Sequence, residues 1–402
     1  MQSRNFDVVS FMSRGKYSLI YEVAYTQGSS RITNTTWAMK RFYLQNYSSV
    51  RCALRERNIL VRLARAEKQS PFLTTLLESF QIHGAPAFVL RKGCGLDLQD
   101  LFEAVGYFRE FEAQFYACEI ISGLGHLHAM QIVHLDVKPS NMLLDDSGHL
   151  FITDFDRSYD ASQDVIALEK TDFTGTSLYM SPEVMNKIDI TPKADVWSLG
   201  VLVAVTMYSH FSVSKWLKSG ELILGHVPYA SMHLRKFLRA CLVPNCKTRL
   251  DIKEVKGLGF FKDIKWEEVV DRKIKPPYRP SYFKFAIASD KFRFDPYDPL
   301  LLAAAFGTRI PLVNRYLRDV HDKEGVRRLI VKSINYRDLL RSGLTSKKIG
   351  ELFANFDFQN YRILPSSPRL ESDRVLIGGE DVPSEHEHHV LNACSSPPGL
   401  NR

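Results

Sequence analysis

Between Ile132 and Asp156 the chain reads IVHLDVKPSNMLLDDSGHLFITDFD. An apolar run leads into a polar turn that carries one carboxylate, Asp136, followed by Lys138, Pro139 and Asn141. A hairpin pattern comes next, and then a second carboxylate, Asp154, eighteen residues after the first. Residue types of this kind suit two chemistries. A carboxylate can accept a proton from a hydroxyl. Carboxylate and amide oxygens suit a hard cation such as Mg2+. A second stretch, SRGKYSLI from Ser13 to Ile20, puts hydroxyls and Lys16 around Gly15. Alone it reads first as an ordinary β-turn, although its hydroxyls and Lys16 are able to hydrogen-bond a phosphate.

The elements that must position these groups read as an α+β arrangement. Residues 6–42 are strand-like, with YEVAY and WAMKRF as the β-compatible runs and GSS and NTT as turn signals. Residues 49–68 repeat apolar positions at three and four with alternating charges, which predicts an amphipathic helix. Two further strands are expected at LLESFQI and APAFVLRK, before a turn through KGCG. From Leu98 to about Phe261 the pattern is helical, interrupted by the stretch 132–156.

The 402 residues, 45% hydrophobic and 11% aromatic, are enough for one large two-lobed domain with a sizeable core. A formal charge of +8 suits acidic ligands such as nucleotide phosphates, but no basic run interleaved with aromatics points to nucleic acid. The six cysteines are scattered, with no pair at metal-ligand spacing, and read as free thiols of a reducing compartment. The start lacks a long apolar core, so no signal peptide is expected, and no accessory domain is expected ahead of the first strands. The longest apolar run, near Leu199–Met207, is too short to span a bilayer. These features predict a cytoplasmic protein, with the nucleus as the alternative. Residues 364–402 are rich in Pro, Ser and charge and are expected to be a disordered tail, with His386, His388 and His389 as solvated polar residues.

HLDVKPSN followed by DFD resembles the catalytic and metal-binding loops of eukaryotic protein kinases. That resemblance implies a bilobal fold, with a β-rich N-lobe over 6–92 and a helical C-lobe over 93–262. It makes Asp136 the group that orients and deprotonates a substrate hydroxyl. Lys138 then steadies charge on the γ-phosphate of ATP, and Asn141 and Asp154 hold Mg2+. Ser13, Gly15, Ser18 and Ile20 fall on the family's phosphate loop, in which only Gly15 keeps the family glycine. Lys40 matches the lysine that pairs the α- and β-phosphates, and Glu56 the helix glutamate that holds it. Leu90 to Leu98 resembles the hinge. Leu90 is then the gatekeeper, Arg91 to Gly93 supply backbone groups to the adenine, and Asp97 accepts from the ribose, although Arg91 and Lys92 are unusual there. Ser181-Pro182-Glu183, Arg249 and the aspartate of Asp195–Gly200 match structural motifs of the large lobe. Two positions depart from the pattern: Leu135 stands for the usual arginine, and Asp156 for the glycine of Asp-Phe-Gly.

Residues 259–280 and the run Phe353-Ala-Asn-Phe356-Asp357-Phe358 resemble the AGC group (relatives of protein kinases A, C, N and B). The resemblance implies a C-terminal tail over 263–363, with an atypical helical, basic insert at about 298–350. It also implies that the tail's Phe rings dock beside the helix bearing Glu56. Asp357 then supplies a fixed charge where the group often has a phosphorylated residue. Asp172 stands at the usual activation-segment phosphosite, with Thr171 and Thr174 as alternative acceptors. With Leu135 this implies a phosphate switch that has been dismantled. Ser140 and Val205 replace acids that meet substrate arginines, which predicts weak selection for arginine. The expected function is a serine/threonine kinase acting on protein substrates. The alternative is an impaired pseudokinase serving as an ATP-binding or scaffold protein, with the insert as a docking surface for a regulatory partner. Asp156 is the residue that divides the two.

Overall fold

Strands β1 (Phe6–Arg14), β2 (Ser18–Gln27) and β3 (Ser30–Phe42) form an antiparallel meander. The computed structural model of the chain describes residues 6–27, 30–82, 84–162, 176–223, 225–282, 336–341 and 343–363. Asp172, Thr171 and Thr174, residues 298–335 of the expected insert, and the tail 364–402 with its histidines lie outside them. One expectation is corrected in β3. Asn34-Thr35-Thr36 sits inside the strand, with Thr36 paired to Ala24, and the chain reverses between Gln27 and Ser30. β-Branched threonines fit a pleated strand, so strand pairing overrides the turn signal there.

Helix α1 (Tyr47–Arg65) follows. Asn46 caps it, its side chain accepting the Ser49 N–H at 2.9 Å while Ser49 Oγ accepts the Asn46 N–H. Arg62 and Arg65 in its last turn complement the helix dipole. β4 (Leu76–Ile82) and β5 (Ala85–Leu90) complete the small lobe. β10 (Phe358–Gln359), contributed by the distant C-terminal segment, pairs with β4, so the sheet order is β1-β2-β3-β5-β4-β10. The added strand covers an edge that would otherwise be exposed.

The large lobe is helical, beginning with α2 (Leu98–Val105) and α3 (Glu110–Ala129). The short pairs β6 (Ile132–Val133) with β9 (Tyr159–Asp160), and β7 (Met142–Leu144) with β8 (Leu150–Ile152), frame the loop at 134–141. Helices α4 (Pro182–Met185), α5 (Lys193–Met207), α6 (His210–Ser219), α7 (Met232–Cys241), α8 (Ile252–Lys256) and α9 (Trp266–Val270) follow. Helix α5 contains the long apolar run and is buried from Ala194 to Thr206, as a helix that is apolar all round must be. Among the described residues no helix is long and apolar enough to cross a membrane. The last helices are α10 (Tyr336–Arg341) and α11 (Ser346–Leu352).

Candidate active site

Lys40 lies within β3, opposite Ile20 of β2 and Phe88 of β5. Its ammonium is 2.7 Å from Glu56 Oε2 on α1 and 2.7 Å from Asp154 Oδ1. Neither Lys40 nor Glu56 is a solvated surface charge: both are buried, Glu56 at 1% exposure. Burial alone would discharge Lys40, but Asp154, Glu56 and Asp156 outweigh it and raise its pKa. One ammonium then faces three carboxylates and cannot neutralise them all. Burial lifts Asp154 as well, yet Lys40, Lys138 and His134 overcome this and hold it below the ordinary carboxylate value. Glu56 is pushed up to about 8 by burial, with Lys40 opposing and the two aspartates adding to it. Asp156 is pushed up to about 7 by burial and by Asp154. Lys40 and Arg157 oppose this rise, with Arg157 Nε 3.9 Å from Asp156 Oδ1. Asp156 thus adds charge beside the bridge but leaves the Glu56–Lys40–Asp154 geometry intact.

Asp136 is buried at the base of the loop. Its Oδ2 accepts from Lys138 Nζ at 2.6 Å and from Asn141 Nδ2 at 3.1 Å. Asn141 Nδ2 also donates to the Asp136 carbonyl at 2.9 Å, which leaves its amide oxygen as the atom able to bind a cation. The loop is fixed from below by Asp195 of α5. Asp195 accepts the His134 and Leu135 N–H groups, each at 2.8 Å, and lies 2.8 Å from His128 Nε2. Leu135 adopts φ 64° and Asp154 φ 69°, conformations that non-glycine residues hold only where the surroundings impose them.

The hairpin between β1 and β2 turns at Gly15, whose N–H donates to the Ser18 carbonyl at 2.8 Å. A side chain on Gly15 would meet Ser18 Oγ at 2.8 Å. Ser18 is buried, while Ser13, Gly15 and Lys16 are exposed at the tip. Leu90 ends β5, buried at 6% exposure. Of the hinge residues, Arg91 already donates its N–H to the Thr75 carbonyl at 2.8 Å, so it can offer an adenine only its carbonyl. Gly93 packs so close to β7 that a Cβ there would meet the Leu144 carbonyl at 2.8 Å. Asp97 caps α2, its Oδ1 accepting the Asp100 N–H at 2.9 Å. Val205 is fully buried in α5 and Ser140 is exposed.

The C-terminal run lies against α1 and the small-lobe sheet. Phe353 and Phe356 are buried, and Phe356 stacks on Phe88 with centroids 5.5 Å apart. Ser79 Oγ donates to the Phe356 carbonyl at 2.7 Å, and Gln81 Nε2 to the Phe353 carbonyl at 2.9 Å. Arg57, adjacent to Glu56, donates to the Asn355 carbonyl at 2.5 Å. Asp357 is exposed, and its charge acts on the Arg57 guanidinium.

Sequence reasoning missed three contacts. Arg57 clamps the tail. Arg62 pairs with Asp160 at 2.5 Å, tying the end of α1 to β9. The Arg91 side chain reaches Asp145, in the turn between β7 and β8, at 3.0 Å. Only Arg91 had a signal, as a cation in an unusual place.

A β-rich lobe, a helical lobe and a Lys–Glu–Asp bridge above an Asp–Lys–Asn loop define a protein-kinase architecture. The family model described as protein kinase domain matches residues 6–261. The chain is 32% identical over 303 residues to ribosomal protein S6 kinase alpha-2 of Mus musculus, covering 72% of this chain and 40% of that protein. It is 30% identical over 308 residues to serine/threonine-protein kinase SCH9 of Saccharomyces cerevisiae, covering 73% and 36%. It is 29% identical over 354 residues to putative ribosomal protein S6 kinase alpha-1 of Caenorhabditis elegans, covering 82% and 43%. The chain belongs to the eukaryotic protein kinase family, in its AGC group. It spans about 40% of the length of these relatives.

Proposed function

We propose that this chain transfers the γ-phosphate of ATP to serine or threonine hydroxyls of protein substrates. The observation that carries the reading is Lys40 held at 2.7 Å from both Glu56 and Asp154. Such a lysine stands ready for the α- and β-phosphates, with the metal-binding aspartate beside it. Asp136 is the group to orient the hydroxyl and take its proton, and Lys138 the charge beside the phosphate in flight. Asn141 and Asp154 offer the oxygens that Mg2+ takes beside nucleotide phosphates, where the ion would neutralise charge on the phosphoryl group. Gly15 with the Ser13 and Ser18 hydroxyls would cover the phosphates, Ile20 and Leu90 would flank the adenine, and Asp97 with the Gly93 backbone would fix the nucleoside.

The catalytic domain is assigned to residues 6–262 and the AGC-type tail to 263–363. Within the tail, Phe353, Phe356 and the fixed charge of Asp357 hold α1. The absence of an arginine at 135 and the presence of Asp172 support activity that needs no phosphate on the activation segment. Val205 and Ser140 carry no acid, which supports weak selection for arginine in the substrate. A radiolabelled-ATP transfer assay tests the reading. The natural protein is expected to label a protein substrate, whereas Asp154→Ala and Asp136→Ala lose transfer by a factor of roughly 10²–10⁴. Equal labelling by all three would defeat the proposal.

A further inference from the structure

A cavity of about 230 Å³ lies between α3 and the segment from Ile264 to Pro277, on the large lobe. Its size falls between the ~150 Å³ void that holds benzene and the ~300–1,000 Å³ of drug-sized pockets, so it suits one ring or one branched group. Phe111, Phe115, Val269 and Ile274 make its apolar walls, and Arg272 and Lys275 bring positive charge. Glu119 also lines it, but that carboxylate is taken up by His149 Nδ1 at 2.5 Å and the Leu150 N–H at 2.9 Å.

Arg272 is unusual in two ways. It adopts φ 54°, in the left-handed region. Its Nε is buried and has no hydrogen-bond partner among the described residues. A buried N–H without an acceptor is rare in native proteins. A carboxylate oxygen in the cavity would satisfy it.

Arg272 also leads away from the cavity. One of its Nη atoms donates to Asp145 Oδ2 and to Ser147 Oγ. Asp145 Oδ2 accepts from Arg91 Nη2 at 3.0 Å, and Asp145 Oδ1 accepts the His149 N–H at 3.2 Å. The Arg91 guanidinium lies 4.3 Å from the centre of the Phe151 ring. Two cavity-lining residues therefore share one carboxylate with the residue that follows the gatekeeper. The contact is tight: a Cβ on Gly148 would sit 2.2 Å from the Tyr278 carbonyl.

We propose that this cavity binds small carboxylates built on one aromatic or branched apolar group, and that its occupancy reaches the hinge through Arg272, Asp145 and Arg91. The hinge half rests on the nucleotide-binding reading above; the cavity half does not. Calorimetric titration of the full chain with phenylacetate tests both, with 2-phenylethanol as the neutral counterpart. Phenylacetate is expected to bind saturably, and 2-phenylethanol about tenfold more weakly. Arg272→Gln is expected to remove that difference and Ile274→Trp to abolish binding, each checked for an unchanged melting curve. No saturable binding, or equal affinity for acid and alcohol, overturns the cavity. Saturating phenylacetate is expected to change the Kd for ADP about fivefold, and ADP must change the Kd for phenylacetate by the same factor. An unchanged ADP affinity overturns the link to the hinge. A natural protein that binds no ADP defeats the nucleotide reading and the link with it, while the phenylacetate titration still decides the cavity.

Discussion

Replacing Phe356 by alanine tests whether the C-terminal segment holds α1, and so Glu56, in place. The ring is 2% exposed, stacked on Phe88 at 5.5 Å and edge-on to Phe353 at 5.3 Å. Truncating a buried Phe to Ala removes about 3–5 kcal/mol through lost transfer energy and the void left behind. Part of that loss will be absorbed by relaxation, because the segment keeps the β10–β4 pairing and the Asn360 bonds to Leu76 and Leu77. If about 3 kcal/mol falls on docking alone, the docking equilibrium drops roughly 100-fold. The consequence is local. Amides of β4, β10 and the end of α1 should exchange with deuterium roughly 100-fold faster, while those of α5 stay protected. Phosphate transfer should fall with them, and a peptide of residues 349–363 added in trans should restore part of both. The reasoning fails if β4 and β10 exchange within about threefold of the natural protein, or if α5 loses protection equally, which would mean global unfolding.

Asp156 makes stability depend on pH. Its pKa is pushed up to about 7, above its unfolded value, so the folded state holds the proton more tightly. The stabilisation from that proton is complete at low pH and is lost as pH rises through about 7. A shift of about three units is worth a few kcal/mol. Metal-free Asp156→Asn should therefore match the natural protein near pH 4 and exceed it in melting temperature at pH 8; parallel curves would refute this. The pair Arg62–Asp160 should behave as a positioning link. Arg62→Glu is expected to reduce kcat with little change in KM for ATP, and adding Asp160→Arg should recover most of it, with a coupling of about 1–2 kcal/mol. Additive losses in that cycle would show that the two side chains do not act together.

The local chemistry of this chain is written in short spans. Asp136, Lys138 and Asn141 lie within six residues, so one loop conformation brings them together, and their spacing is visible without any fold. The same holds for α1, whose Asn46–Ser49 cap and three-four periodicity are local, and for the apolar run of α5. Tertiary structure decided how remote charges are shared. Lys40 meets Asp154 across 114 positions, and only the fold's grouping of the two beside Glu56 and Asp156 turns four ordinary side chains into a site with displaced pKa values. The alternating charges of α1 do not show which of its residues will be covered, yet Arg51, Arg55 and Glu56 are buried, Glu56 against Lys40 of β3, a partner from outside the helix's own sequence. Asn34–Thr36 looked like a turn because propensity is weak against strand pairing. Arg272, Asp145 and Arg91 lie too far apart in the chain for any pattern to join them; packing of the segment after α9 against the β7–β8 hairpin makes them one network.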